Sequence, residues 1–381
     1  MDKKRILIYS TVFLIMGLSN SVIPVLPEIA AGSLVSSGTI SYTLLFSGYF
    51  IGALLTMIPF GFMTDRYNNI KIITLSITLT SFAGMMLILS ENIYLLVTAR
   101  LLEGIACGAF FPPAYALLAG FHEKNRYIGE FNFLLNAGLA VGVLASGFLA
   151  SRSVRGAITL FTILSIIVLV IGIVTLFLNK EKESTKTTER TTPPTKRMSP
   201  GSEIKRVLGK LFNIRFLRIW ITAFLLFGIT GVLLAFYPEY SKDILSKPEL
   251  GIAIAILYIS SMITNLVVGR MKLHFKHMVT SGMILAAAGV LISIRFPFTG
   301  FALLGIGSGI GMIGLPVAVS HMPFDRGLAM GIFNTYTYAG LAFMPIIAGL
   351  FIDMGYQAVF ILSAAFMVLS LFLKDGLESG E

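Results

Sequence analysis

Charge is scarce in this 381-residue chain: Asp, Glu, Lys and Arg make up 13% of it, while apolar residues make up 56%. An ordinary soluble domain carries about 25% charged residues, so a mean hydropathy of +0.86 excludes a water-soluble enzyme. Cysteine is nearly absent. The single Cys107 rules out an intrachain disulfide and, inside an apolar run, reads as a small packing residue. The four histidines, His122, His274, His277 and His321, fall in short polar connections, and no Cys/His group has metal-ligand spacing. No metal and no other cofactor is expected. A phosphate-binding Gly-x-x-x-x-Gly-Lys-[Ser/Thr] loop is missing, which argues against direct use of ATP. No Ser/His/Asp arrangement can form, and no filter-like segment or ring of charge suggests a channel.

What the chain has is long apolar runs. They read as helices over 6–27, 40–62, 70–90, 93–119, 128–150 and 157–179, then 217–238, 250–269, 278–294, 298–319, 328–352 and 356–373. Each is near the ~20 residues needed to cross a bilayer, and only helices satisfy every backbone group there without a closed barrel. The basic start and apolar body of Met1–Leu18 resemble a signal peptide, but no clear cleavage pattern follows, so a first membrane helix is the reading. The expectation is an all-α polytopic protein of twelve transmembrane helices in the cell membrane.

Lys and Arg set its direction. With the N-terminus inside, 23 of the 29 fall in cytoplasmic segments and 5 outside (Arg152, Arg155, Lys242, Lys247, Arg295), while Arg100 lies within a span. Both termini are therefore expected in the cytoplasm. The net charge of +10 marks the inner leaflet and not a nucleic-acid surface. Residues 180–215, rich in Thr, Pro and charge, read as a solvated linker with an amphipathic turn at 203–212. They divide the chain into 1–179 and 216–381, six spans each.

The two halves repeat. Gly104 and Gly108 in the fourth span align with Gly305 and Gly309 in the tenth at an offset of 201. Gly129, Phe131, Asn132, Gly138 and Gly147 in the fifth align with Gly331, Phe333, Asn334, Gly340 and Gly349 in the eleventh at an offset of 202. Parallel six-helix repeats flanking a midplane ligand site are a recurrent design of secondary transporters.

The connection after the second span, Gly61-Phe-Met-Thr-Asp65-Arg66-Tyr-Asn-Asn-Ile-Lys71, resembles the Gly-x-Leu-Ala-Asp-Arg-x-Gly-Arg-Lys signature of the major facilitator superfamily. Asn68 stands for the second Gly of that signature. Arg100-Leu-Leu-Glu103-Gly104 is similar to its Arg-x-x-Gln-Gly, and Pro24-Val-Leu-Pro27 to the end of the first span in its drug:proton antiporter branch. Gly138-x-x-x-Gly142-Val143-x-x-Ser146-Gly147 resembles the antiporter signature Gly-x-x-x-Gly-Pro-x-x-Gly-Gly, with Val143 replacing Pro. That proline appears in the partner helix as Pro345.

The resemblance implies two pseudo-symmetric six-helix bundles moving a small-molecule solute by alternating access, with no nucleic-acid partner and a monomeric chain. It implies efflux of amphipathic, drug-like compounds against protons. A transporter of one metabolite, such as a sugar, amino acid, nucleoside or organic acid, stands as the alternative. Asn20 occupies a place where a cation-binding antiporter often has a carboxylate.

Arg100 and Glu103 share one helical face within a span, as a structural ion pair or as a site of proton arrival. Glu130 is a second proton candidate, or a salt-bridge partner of Arg126 or Arg66. Candidate cavity groups are Asn20, Asn132, Asn136, Asn265, Asn334, Tyr237, Tyr336 and Tyr338, although Asn132 and Asn334 also suit packing. Gly104, Gly138, Gly142, Gly147, Gly340 and Pro345 are expected to set helix packing. The resemblance also gives Gly61, Asp65 and Arg66 the role of a latch: the Asp65 carboxylate beside a helix N-terminus is favourable by about 0.3–1 kcal/mol. On this reading Asp65→Asn slows transport while solute binding to purified protein stays nearly unchanged; equal loss of both would count against a latch.

Overall fold

The computed structural model describes residues 3–31, 39–64, 67–119, 121, 124–183, 217–271, 273–320 and 326–372. Asp65, Arg66, His122, His321 and the expected turn at 203–212 lie outside the described residues. The described chain is helical: α1 Lys3–Ser21, α2 Leu26–Ala31, α3 Thr39–Thr64, α4 Asn69–Leu89, α5 Ile93–Ala119, α6 Lys124–Leu149 and α7 Gly156–Glu183. Then follow α8 Leu217–Tyr240, α9 Lys247–Val268, α10 Phe275–Ser293, α11 Pro297–Ser320, α12 Arg326–Gly349 and α13 Tyr356–Ser370. With α1 and α2 counted as one rod, ten are long and apolar enough to span a bilayer. The 24-residue α12 and the 15-residue α13 complete twelve.

The first rod departs from the single helix expected over 6–27. It breaks into a 3₁₀ turn at Ile23–Val25 and resumes to Ala31, because Pro24 supplies no N–H and its ring crowds the preceding turn. Pro27 falls in the first turn of α2, where a missing donor costs nothing. The other ends agree to within a few residues and are capped locally. The Asn68 side chain accepts from the Ile70 amide at 2.9 Å to start α4. Glu249 accepts from the Ser246 amide at 2.8 Å to start α9.

Lipid gives helices no hydrophobic reason to associate, so small residues that let backbones touch decide the packing. A Cβ on Gly104 would collide with the Tyr49 carbonyl oxygen, and one on Gly52 with that of Leu101, which locks α3 to α5. The repeat partner Gly305 would collide with the Leu257 carbonyl and locks α9 to α11 in the same way. Gly138 and Gly142 seat α6 on Phe13 and Gly17 of α1, and Gly340 seats α12 on Phe224 and Gly228 of α8. Pro345 packs beside Gly231 of α8. The two bundles are thus built on the same pairings. Apolar residues such as Ile163, Ile167, Val170 and Val174 of α7 point outward to where lipid would lie.

Between the bundles, α6 meets α9 and α12 meets α3. Gly147 touches Gly251, and Gly349, its repeat partner, lies against Thr43. Both contacts sit toward the face opposite the chain ends, here called the distal face. Polar contacts between the halves lie there too. Lys247 pairs with Glu28 and donates to the Pro24 carbonyl at 2.9 Å, and the Tyr42 and Tyr356 hydroxyls bond at 2.7 Å. At the other end, no atom of the described residues lies within 4 Å of where a Cβ on Gly61 would be.

Overpacking a tight site costs about 1–3 kcal/mol. Gly104→Ala should accordingly lower the thermal unfolding midpoint in detergent, while Gly61→Ala should leave it unchanged.

Candidate functional site

A group of buried polar residues gathers beside the place where Cys107 of α5 meets Tyr338 of α12. On α5 the Arg100 side chain is 1% exposed and that of Glu103 0%. Arg100 Nη1 donates to Glu103 Oε2 at 2.5 Å and to the Ser19 carbonyl at 3.4 Å, and Nε donates to the Leu45 carbonyl at 3.0 Å. Its guanidinium also stands 5.1 Å from the Tyr49 ring centroid. One side chain therefore ties α5 to α3 and to α1. Glu103 Oε1 is buried with no hydrogen-bond partner among the described residues.

One helical turn from Glu103, the buried Cys107 thiol meets the hydroxyls of Tyr49 from α3 and Tyr338 from α12. The Tyr338 ring approaches Phe50 at 6.2 Å, and Phe50 packs on Tyr49 at 5.0 Å. Asn20 donates to the Leu139 carbonyl at 3.3 Å and lies beside the Tyr258 hydroxyl of α9. The centre thus unites α1, α3 and α5 of the first bundle with α9 and α12 of the second. It carries one cation, one anion and several neutral donors and acceptors.

Of the residues expected from sequence, Arg100, Glu103, Asn20 and Tyr338 come together here. Tyr49, Cys107 and Tyr258 join them unforeseen. Cys107 was read as packing alone, and the tyrosines are three of many in an aromatic-rich chain; the only signal for Cys107 was its place one turn from Glu103.

Tyr237 lies elsewhere. It is fully buried inside the second bundle, donates to the Ser293 carbonyl at 2.6 Å and packs on Phe301 at 4.8 Å. Its hydroxyl is consumed by structure and does not face the seam. Tyr336 stacks on Trp220 at 5.7 Å. The Asn136 amide donates to the Asn132 carbonyl of its own helix at 2.9 Å. Asn132 accepts from the Tyr115 hydroxyl at 3.2 Å, and Asn334 is exposed. Half-buried Asn265 keeps an unbonded Oδ1.

Glu130 is part of a separate cluster near the terminal face. Arg126 Nε donates to its Oε1 at 3.0 Å and the Tyr9 hydroxyl to its Oε2 at 2.8 Å, beside an open depression of about 490 Å³ lined by Tyr9, Gly129, Phe133 and Leu134. This depression is distant from the Arg100–Glu103 pair and does not include it.

Comparison with known proteins adds to this geometry. The family model described as Major Facilitator Superfamily matches residues 8–246 and 219–376. Multidrug resistance protein 2 of Bacillus subtilis is 25% identical over 97% of this chain and 96% of its own length. The quinolone resistance protein NorA of Staphylococcus aureus is 22% identical over 94% and 92%. Among solved structures, the nucleoside transporter NupG superposes with a TM-score of 0.73 at 16% identity, covering 98% of each chain. An inward-facing, unoccupied bacterial homologue of the lysosomal transporter Spinster superposes with a TM-score of 0.67 at 14% identity, covering 97% and 94%. Those structures share the fold.

Removing one partner of a buried ion pair costs about 3–5 kcal/mol, whereas replacing both with apolar residues is often near neutral. Arg100→Met should therefore destabilise the protein strongly, and the double variant Arg100→Met/Glu103→Leu should recover part of the loss. Equal unfolding midpoints for the single and double variants would refute the pairing.

Proposed function

The chain belongs to the Major Facilitator Superfamily, and on that premise we propose that this transporter exports small amphipathic, drug-like solutes in exchange for protons. The observation that carries the reading is the buried Arg100–Glu103 pair one helical turn from the seam at Cys107, with one carboxylate oxygen unbonded among the described residues. Charge at membrane depth is costly and is retained where it works. Burial favours the protonated carboxyl and the adjacent guanidinium the ionised one, so a small rearrangement at the seam can tip Glu103 either way. Protonation would weaken the hold on Arg100 and loosen its bonds to α1 and α3. A solute donor and a proton would then compete for the same carboxylate, which is the logic of exchange.

With both termini in the cytoplasm, the distal face is external. The contacts at Gly147–Gly251, Lys247–Glu28 and Tyr42–Tyr356 then close the outside. Opening the other way needs these contacts to part and the Asp65 latch to form. Residues 180–215 act as the tether between the bundles 1–179 and 216–381. Inward movement of one proton releases about 2.3 kcal/mol per 100 mV and about 1.36 kcal/mol per pH unit. A tenfold gradient of a neutral solute costs about 1.4 kcal/mol, so one proton per solute suffices. Full-length likeness to multidrug and quinolone resistance proteins supports the exporter. A hydrogen-bonding centre of balanced charge, with Asn20 in place of a carboxylate, also suits a metabolite transporter, the second reading.

In cells lacking native pumps, the protein should lower accumulation of several unrelated dyes, with the effect lost when the proton gradient collapses. In proteoliposomes Glu103→Gln should keep solute exchange but lose pH-driven accumulation. Unchanged dye levels together with faster uptake of one nutrient would favour the metabolite reading.

A further inference from the structure

The centre of the molecule holds an acceptor with nothing bonded to it. Glu103 gives Oε2 to Arg100, while its Oε1 is buried and unpartnered. One turn away, Cys107 lies between tyrosine hydroxyls contributed by both halves. The rings of Tyr49, Phe50 and Tyr338 form the adjoining wall. A buried acceptor left unbonded is costly, so its place at the seam of two moving bundles suits a donor that arrives and leaves.

The local charge balance restricts that donor. Arg100 already neutralises Glu103, and Asn20, Tyr49, Tyr258 and Tyr338 are neutral groups. A permanent organic cation would shed its hydration there without meeting an uncompensated carboxylate. A flat, uncharged ring bearing an N–H can instead bond Oε1 and lie against the tyrosines.

We propose that the transported solute is a neutral aromatic compound with an N–H donor, such as an aromatic amide or lactam. Its N–H bonds Glu103 Oε1, and its ring lies beside Cys107 against the rings of Tyr49 and Tyr338. The inference rests on the transporter reading above and narrows its substrate class.

Cys107 is the sole cysteine, so maleimide labelling of the full chain in nanodiscs, read by intact mass, reports on this spot alone. The probes are acridone, N-methylacridone and tetraphenylphosphonium. Acridone should slow labelling. N-methylacridone, which lacks the donor, should need about tenfold more compound for the same protection, the worth of a hydrogen bond to a charged group. Tetraphenylphosphonium should leave the rate unchanged.

Glu103→Ala should erase the difference between the two acridones, and Tyr338→Phe should retain it; the ligand comparison on the unaltered protein stands even if the first variant does not fold. Equal protection by the two acridones, protection by the phosphonium, or no labelling under any condition overturns the proposal. Dye efflux in cells separates the two readings. Gradient-dependent efflux with equal acridones sinks this inference alone, and absent efflux with a retained acridone preference sinks the exporter reading alone.

Discussion

A guanidinium buried within a membrane span must find acceptors from protein, because neither water nor lipid offers them at that depth. Arg100 finds three: the Glu103 carboxylate on its own helix and the carbonyls of Leu45 and Ser19 on two others. The position of α5 relative to α3 and α1 follows from this demand as much as from packing. Glycine makes the geometry attainable. Gly48 leaves room beside the Arg100 Cβ, and Gly52 and Gly104 bring the α3 and α5 backbones into contact on either side. Electrostatics and close approach are one constraint here: without the glycines the arginine could not reach its carbonyls, and without the arginine the carbonyls would have no claim on its charge.

The second bundle uses the same close approach without the charge. Gly305 and Gly309 seat α11 on α9 as Gly104 and Gly108 seat α5 on α3, yet no arginine accompanies them. Duplication thus supplied two equivalent frames, and among the described residues only the first carries a buried ion pair. The asymmetry gives the two halves different work. The first presents charge to the seam, and the second presents neutral hydroxyls from Tyr258 and Tyr338.

Much of this was legible before the structure, and the reason is specific. Helices in lipid leave long apolar runs, and glycine contacts leave a fixed offset between repeats, so spans and packing pairs could be read directly. The break at Pro24 departs from the expected single helix because a hydropathy run does not register a lost donor. Tyr237 was named for the cavity on residue type alone; its hydroxyl had a nearer partner in Ser293. Tyr258 and Tyr49 left no mark, and Cys107 only its place one turn from Glu103, since their role depends on distances between helices remote in sequence. The same holds for Lys247 and Glu28, which belong to different bundles and meet only when both are folded.

Alternating access requires that neither closed end be too stable. At the distal face a partly exposed ion pair contributes about 0–1 kcal/mol, and a hydrogen bond such as Tyr42–Tyr356 about 0.5–1.5 kcal/mol. The glycine contacts at Gly147–Gly251 add packing without long interdigitating side chains that would have to be withdrawn. Their sum is of the order of what one proton delivers across 100 mV, about 2.3 kcal/mol. A seam sealed by a large apolar interface would exceed that supply and hold the transporter in one state. Apolar contacts such as Tyr42 on Phe236 must part as well, and on the proposed exchange the buried Arg100–Glu103 pair is where the energy of a proton would enter.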